Sequence, residues 1–249
     1  MTGRREEILA LVSELKKIEV NELAERLAVS KVTIRKDLDA LEKRGLLHRE
    51  HGFAVLNSQD DLNYRLALHY DKKVQIARMA AKEVANGETI MIESGSTCAI
   101  LAEIISKTKK DVTIITNSSF IAQYVSSEMN CQIILLGGNY QQDAQVSVGP
   151  LAKKNIQNFF VDKVFIGIDG FDRVFGFSNS DMLRSEVVQT MATVAKRVIV
   201  LTDSSKFTER GLIKTLDINE VDTIYTDSGL AADTKHFLET KGLQVALAN

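Results

Sequence analysis

From residue 74 onward, short apolar runs alternate with segments of helical spacing, and this alternation constrains the fold more than any other feature of the chain. The runs are ETIMIES (88–94), VTIITNSS (112–119), CQIILLGG (131–138), VDKVFIGIDG (161–170), KRVIVLTDSSK (196–206), VDTIYTDSG (221–229) and LQVALAN (243–249). Between them lie helix patterns such as VQIARMAAKEVAN (74–86), STCAILAEIISK (96–107), FIAQYVSSE (120–128), LAKKNIQNF (151–159), RSEVVQTMATVA (184–195) and TKHFLETKG (234–242). Strands that are apolar on both sides and separated by helices predict an α/β domain with a mostly parallel sheet, covered on both faces.

Ligands of such sheets sit beyond the carboxyl ends of the strands. Here those ends carry small and polar residues. They are Glu93 with Gly95, Ser96 and Thr97; Thr116, Asn117 and Ser118; Gly137 and Gly138; Asp169 and Gly170; and Asp203 through Lys206. Small residues let backbone N–H groups approach an anion, and a following helix start adds a favourable dipole. Lys206 adds a full charge. With Glu186 in the helix pattern that follows, these residues form a candidate site for a phosphorylated small molecule. No G-x-G-x-x-G or Walker A motif is present, so no nucleotide cofactor is expected. Glu93, Asp169, Asp181, Glu186, Asp203 and Lys206 are the residues that could offer acid–base chemistry. No nucleophile elbow, HExxH motif or histidine cluster accompanies them, so neither catalysis nor a metal is expected.

The first 56 residues follow a different pattern. Ile8, Leu11, Val12 and Leu15 repeat at helical spacing, and Leu23, Ala24 and Leu27 mark a short second helix. Ala28-Val29 make a turn, Ser30 is a suitable N-cap, and a third helix is expected to end at Gly45. Ile34, Leu38 and Leu41 share its inner face. Val32, Thr33, Arg35 and Lys36 therefore point outward near its start, where a helix-turn-helix enters the major groove. After it, LLHRE and HGFAVLN read as a two-stranded wing, with Arg49 and His51 near its tip. Ser30, Val32, Thr33, Arg35, Lys36, Arg49 and His51 are the candidate DNA contacts.

The expected organisation is thus a winged helix-turn-helix over 1–56, a linker over 57–73, and an effector-binding and oligomerisation domain over 74–249. The formal net charge of −2 points to no particular partner. Cys98 and Cys131 match no zinc or redox spacing. The N-terminus is a poor signal peptide and no apolar run reaches membrane-spanning length, so a cytoplasmic protein without a membrane partner is expected.

The first domain resembles that of the DeoR family of bacterial transcriptional regulators, through VNELAERLAVSKVTIRKDL (20–38) and LEKRGLLHREHG (41–52). The second is similar to that family's effector domain at Lys73 before Ile76-Ala77, Gly95-Ser96-Thr97, Thr116-Asn117-Ser118, Gly137-Gly138, Gly149-Pro150, Asp162-Lys163, Gly167 through Gly170, Asp203 through Lys206, and Thr226-Asp227. The resemblance implies an oligomeric repressor, a dimer or tetramer, of sugar or nucleoside metabolism genes. It further implies control by a phosphorylated sugar and an effector fold similar to ribose-5-phosphate isomerase. Glu93 stands where the family commonly has Asp, Gln141 where Arg is frequent, and Val188 where Lys is common. Two other readings compete with a ligand-controlled repressor. One is a DNA-binding regulator whose second domain only oligomerises, and the other is an isomerase-like sugar-phosphate enzyme.

Overall fold

The computed structural model describes residues 3–43, 46–55, 62–125 and 130–248. The expected helix stop at Gly45, the opening of the linker at 57–61 and the end of the 120–128 helix pattern lie outside the described residues. The chain divides into two compact units, residues 1–71 and 72–249.

The first unit contains α1 (Gly3–Leu15), β1 (Lys17–Glu19), α2 (Val20–Arg26), α3 (Lys31–Lys43), β2 (His48–Glu50), β3 (Phe53–Val55) and α4 (Leu62–Ala67). Ile34, Leu38 and Leu41 are fully buried, as their spacing dictates. β1 joins the expected wing hairpin, giving an antiparallel sheet in the order β1-β3-β2. The α1 stripe is rotated from the expected one. Ile8, Leu9 and Val12 are buried while Leu15 is 40% exposed. The cause is α4, which packs on α1 and accepts the Ser13 hydroxyl at the Ala67 carbonyl, 3.1 Å away. The stretch read as a linker over 57–73 therefore carries helix from Leu62, with Leu62, Leu66 and Ala67 fully buried.

The second unit follows from α5 (Tyr70–Ala80), in which the boundary between the units falls, and a 3-10 turn over Ala81–Glu83. Then come β4 (Thr89–Ile92), α6 (Ser96–Thr108), β5 (Val112–Thr116), α7 (Ser119–Val125), β6 (Cys131–Leu135), β7 (Asn139–Gln141), β8 (Val146–Val148), α8 (Gly149–Ile156) and β9 (Val161–Ile166). The remainder is β10 (Gly170–Asp172), β11 (Gly176–Asn179), α9 (Met182–Thr193), β12 (Ala195–Leu201), β13 (Ile213–Leu216), β14 (Thr223–Asp227), α10 (Ala232–Thr240) and β15 (Gln244–Ala248). Seven strands form one parallel sheet in the order β15-β14-β12-β9-β4-β5-β6. Alternating side chains bury both faces. Val164, Ile166, Val198, Val200 and Ile224 join one core cluster with residues of α8, α9 and α10, while Phe165, Ile199 and Tyr225 face the other way.

The chain reverses its direction of progress across the sheet between β4 and β9. Right-handed crossovers then leave the first strand and the fourth through opposite faces, which opens a crevice at the carboxyl ends of this pair. The hairpin β7–β8 and the antiparallel sheet β10-β11-β13 are additions to this frame.

Candidate DNA interface and effector site

The outward surface of α3, the candidate DNA interface, is set by the helix's cap and its buried stripe. Ser30 Oγ accepts the Thr33 amide at 3.2 Å and shares a hydrogen bond with Thr33 Oγ1 at 2.9 Å, closing the first turn. Val32 is 60% exposed, Arg35 and Lys36 are exposed, and Thr33 is half-buried. Next to the outward cations sits Asp37, whose inward turn the sequence reading missed. Its carboxylate is buried and accepts Arg4 Nε at 2.6 Å and Arg5 Nε at 2.8 Å. Burial pushes its pKa up, but the two guanidinium hydrogen bonds and charges outweigh this and hold it below the ordinary carboxylate value. Asp37 thus fixes α3 to α1 while Arg35 and Lys36 remain exposed.

At the wing, His51 (φ +47°) and Gly52 (φ +87°) form the two-residue turn between Glu50 and Phe53. Two successive positive φ values give a type I′ turn, which matches the twist of a hairpin. His51 is 92% exposed at the tip. Arg49 is engaged by α3: its guanidinium lies 2.7 Å from Asp39 and 2.9 Å from Glu42, and its amide donates to Glu42 at 2.9 Å. Those bonds tie the wing to α3 and neutralise much of the charge expected at the tip. Phe53 is half-buried beneath Lys17 Nζ, 4.5 Å from the ring centroid.

At the switch point of the second unit, Glu93 is buried and links the two strand ends. Its carboxylate accepts the Ser94 hydroxyl at 2.6 Å, the Gly95 amide at 2.8 Å and, across the sheet, the Gly167 amide at 3.2 Å. A Cβ on Gly95 would lie 3.3 Å from the Gly167 Cα, so the loops after β4 and β9 meet backbone to backbone. Glu93 therefore positions the floor of the crevice. Ser96 and Thr97 open α6 directly above it, with no side chain capping that helix.

On the neighbouring strand, Thr116, Asn117 and Ser118 are all buried. Thr116 Oγ1 accepts the Ser118 amide, and Ser118 Oγ accepts the Ile121 amide, starting α7. Asn117 Nδ2 donates to the Ser147 carbonyl at 3.1 Å, which fixes the amide's orientation. Its Oδ1 is buried without a donor.

Asp169 accepts the amide of Ser180 at 2.9 Å and also its hydroxyl, so it closes the β10–β11 excursion. Gly170 is crowded by the backbone of 209–211, and Gly138 by the Val148 carbonyl. These two glycines answer to packing. Gly137 offers its carbonyl to Asn155 Nδ2 at 3.2 Å. Lys206 pairs with Glu209 at 2.8 Å, and Glu186, on α9, pairs with Lys153 at 2.7 Å. Gln141 Nε2 donates to Asp181 at 3.2 Å, and Val188 lies in the core rather than at the crevice. Asp227, at the end of β14, accepts from the amide and hydroxyl of Ser204, from Gly229 and from Lys72. The structure thus gathers the ends of β4, β5 and β9, with those of β12 and β14 beside them, while Glu186 is engaged by Lys153 of α8.

Both cysteines are buried free thiols. Burial, and for Cys98 the Glu93 charge as well, raises their pKa values. No grouping that could hold a metal occurs among the described residues, and no described helix is long and apolar enough to cross a membrane. A cavity of about 490 Å³ lies at the opposite, amino edge of the sheet, lined by Glu83, Arg197, Asp222, Thr223, Lys241 and Gln244.

A winged helix-turn-helix followed by a parallel sheet with a switch-point crevice defines a DNA-binding transcriptional regulator with a sensor domain. Residues 4–60 match the DeoR-like helix-turn-helix domain and residues 68–228 match the DeoR C-terminal sensor domain; the chain belongs to the DeoR family. It is 31% identical over 250 residues to a protein assigned as the aga operon transcriptional repressor of Escherichia coli O157:H7, covering 98% of this chain and 93% of that one. It is 30% identical over 251 residues to the L-fucose operon activator of Haemophilus influenzae, covering 99% and 100%. Among solved structures, a D-ribose-5-phosphate isomerase in complex with phospho-erythronic acid aligns with 17% identity and a TM-score of 0.41, covering 55% of this chain and 54% of that one.

Proposed function

We propose that this regulator is a cytoplasmic, homo-oligomeric repressor of carbohydrate genes, and that a phosphorylated sugar or chemically similar metabolite controls it from the switch-point crevice. The observation that carries the ligand reading is Asn117 Oδ1. It is a buried acceptor without a donor, its orientation is fixed by Ser147, and it stands at a strand end beside the crevice. A buried acceptor left unpaired costs about 1–3 kcal/mol, and a polyol hydroxyl is a donor that would relieve it. The Ser96–Thr97 start of α6 supplies an anion-favouring helix end within the same edge.

In this reading Val32, Thr33, Arg35 and Lys36 enter the major groove. His51 reaches the flanking backbone, and Arg49 serves mainly to brace the wing. The test is calorimetric titration of the full-length protein with a panel of phosphorylated and unphosphorylated sugars, repeated on Asn117→Leu. Binding of a phosphorylated member by the wild type, weakened at least tenfold in the variant, is expected. Absence of binding by the whole panel, with operator binding intact, would favour a second domain that only oligomerises.

A further inference from the structure

α5 is the helix on which the chain passes from the first unit to the second, and its two ends are held in different ways. Beyond its carboxyl end, Glu83 accepts the Tyr225 hydroxyl at 2.7 Å and Arg197 Nη1 at 2.9 Å, while Arg197 Nη2 donates to Thr223 Oγ1 at 3.1 Å. Near its amino end, Lys72 Nζ lies 3.0 Å from Asp227. Tyr225 and Asp227 are two residues apart on β14 and share a face of the sheet. Lys72 and Glu83 are separated by about 18 Å, at 1.5 Å per residue along α5 and 2.0 Å along the 3-10 turn. The Glu83 anchor lies at the amino edge of the sheet, remote from the crevice. The Lys72 anchor lies at the carboxyl edge, among the strand ends.

Asp227 is shared. Besides Lys72 it accepts the Ser204 amide at 2.7 Å, the Ser204 hydroxyl at 2.9 Å and the Gly229 amide at 3.0 Å. It is 5% exposed. Ser204 begins the turn that carries Lys206. Three hydrogen-bond donors and an ammonium thus converge on one internal carboxylate, the same kind of donor set that would hold a phosphoryl group.

We propose that Asp227 is a built-in anion occupying part of the effector edge, and that its displacement by an anionic ligand releases the amino end of α5. The proposal rests on the effector reading above. A ligand phosphoryl group would compete with Asp227 for Ser204 and for Lys72, and like-charge repulsion would push the carboxylate away. Lys72 would then leave Asp227 while the Glu83 anchor holds. α5 would pivot about its far end, changing the chain where it enters from the DNA-binding unit. This supplies the differential contact that two-state regulation requires.

The test uses full-length protein, an operator duplex selected from random sequences by the wild type, and ribose 5-phosphate and inorganic phosphate as probes. K72M and D227N are each expected to lower operator affinity at least tenfold, while K72R stays within twofold of wild type. The phosphate probes should separate the variants, with D227N binding them at least threefold tighter than wild type and K72M at least threefold weaker. A purely structural role would move both in the same direction. Operator affinity within twofold of wild type in both K72M and D227N would overturn the proposal, as would a loss in K72R equal to that in K72M. If the wild type binds neither probe while the operator losses in K72M and D227N persist, the latch on α5 stands and the phosphate-effector reading falls.

Discussion

At the scale of single residues, α3 shows two kinds of charge side by side. Lys36 is exposed and Asp37 is buried against Arg4 and Arg5. Lys36→Ala should weaken operator binding by about 1–3 kcal/mol and relax preference at one base pair if Lys36 reads a base edge; titrations on wild-type and singly altered operators check this. An equal loss on every sequence would assign it to phosphate. Asp37→Asn should cost about 1–3 kcal/mol of stability at neutral pH, measured by urea unfolding. The folded-state pKa of Asp37 is depressed, so its contribution is fully present above the unfolded value near 4 and is lost as pH falls through the folded value. The wild type should therefore lose stability more steeply than the variant as pH drops below about 4. The inward stripe of Ile34, Leu38 and Leu41 was legible from spacing alone. Asp37 was not, because an acidic residue on the flank of an amphipathic helix gives no sign of a partner more than thirty positions away. The ion pairs of Arg49 were not legible for the same reason: Asp39 and Glu42, which hold it, belong to another element.

At the scale of elements, the sheet strands and helices of the second unit were readable because each carries an apolar run or stripe bounded by turn residues. The three- and four-residue strands β1, β7, β8, β10, β11 and β13 were not, since so short a stretch holds no period. Their glycines were instead read as ligand-facing. Gly138 shows the difference: a Cβ there would sit 2.7 Å from the Val148 carbonyl, whereas the nearest atom to one on Gly137 is 3.8 Å away. Gly138→Ala should destabilise the protein by about 1–3 kcal/mol, and Gly137→Ala should be close to neutral, as read by thermal denaturation. Glu93 is the corresponding case at the switch point. The family commonly has Asp there, and Glu is one methylene longer. In the structure that methylene lets the carboxylate span from β4 to the Gly167 amide. Glu93→Asp should break that cross-strand bond and loosen the loop after β9, seen as faster hydrogen exchange at Gly167 with Gly95 little changed.

At the scale of the whole molecule, a protein of this family reads DNA with one unit and carries a sensor in the other. The parallel sheet follows from the alternation of strand and helix, but the strand order that places the crevice between β4 and β9 does not. It depends on which strand each crossover returns to, and that is decided by long-range packing of helices on the two faces. Helix-turn-helix proteins bind as symmetric dimers on paired half-sites, so the operator should contain two half-sites about one helical turn apart. The most direct measurement of the central claim is footprinting on the selected operator with and without a panel of phosphorylated sugars. The account predicts two protected half-sites whose protection is weakened or rearranged by at least one phosphorylated sugar and not by its unphosphorylated counterpart. Protection of a single isolated half-site, or protection that no phosphorylated sugar changes, would contradict it.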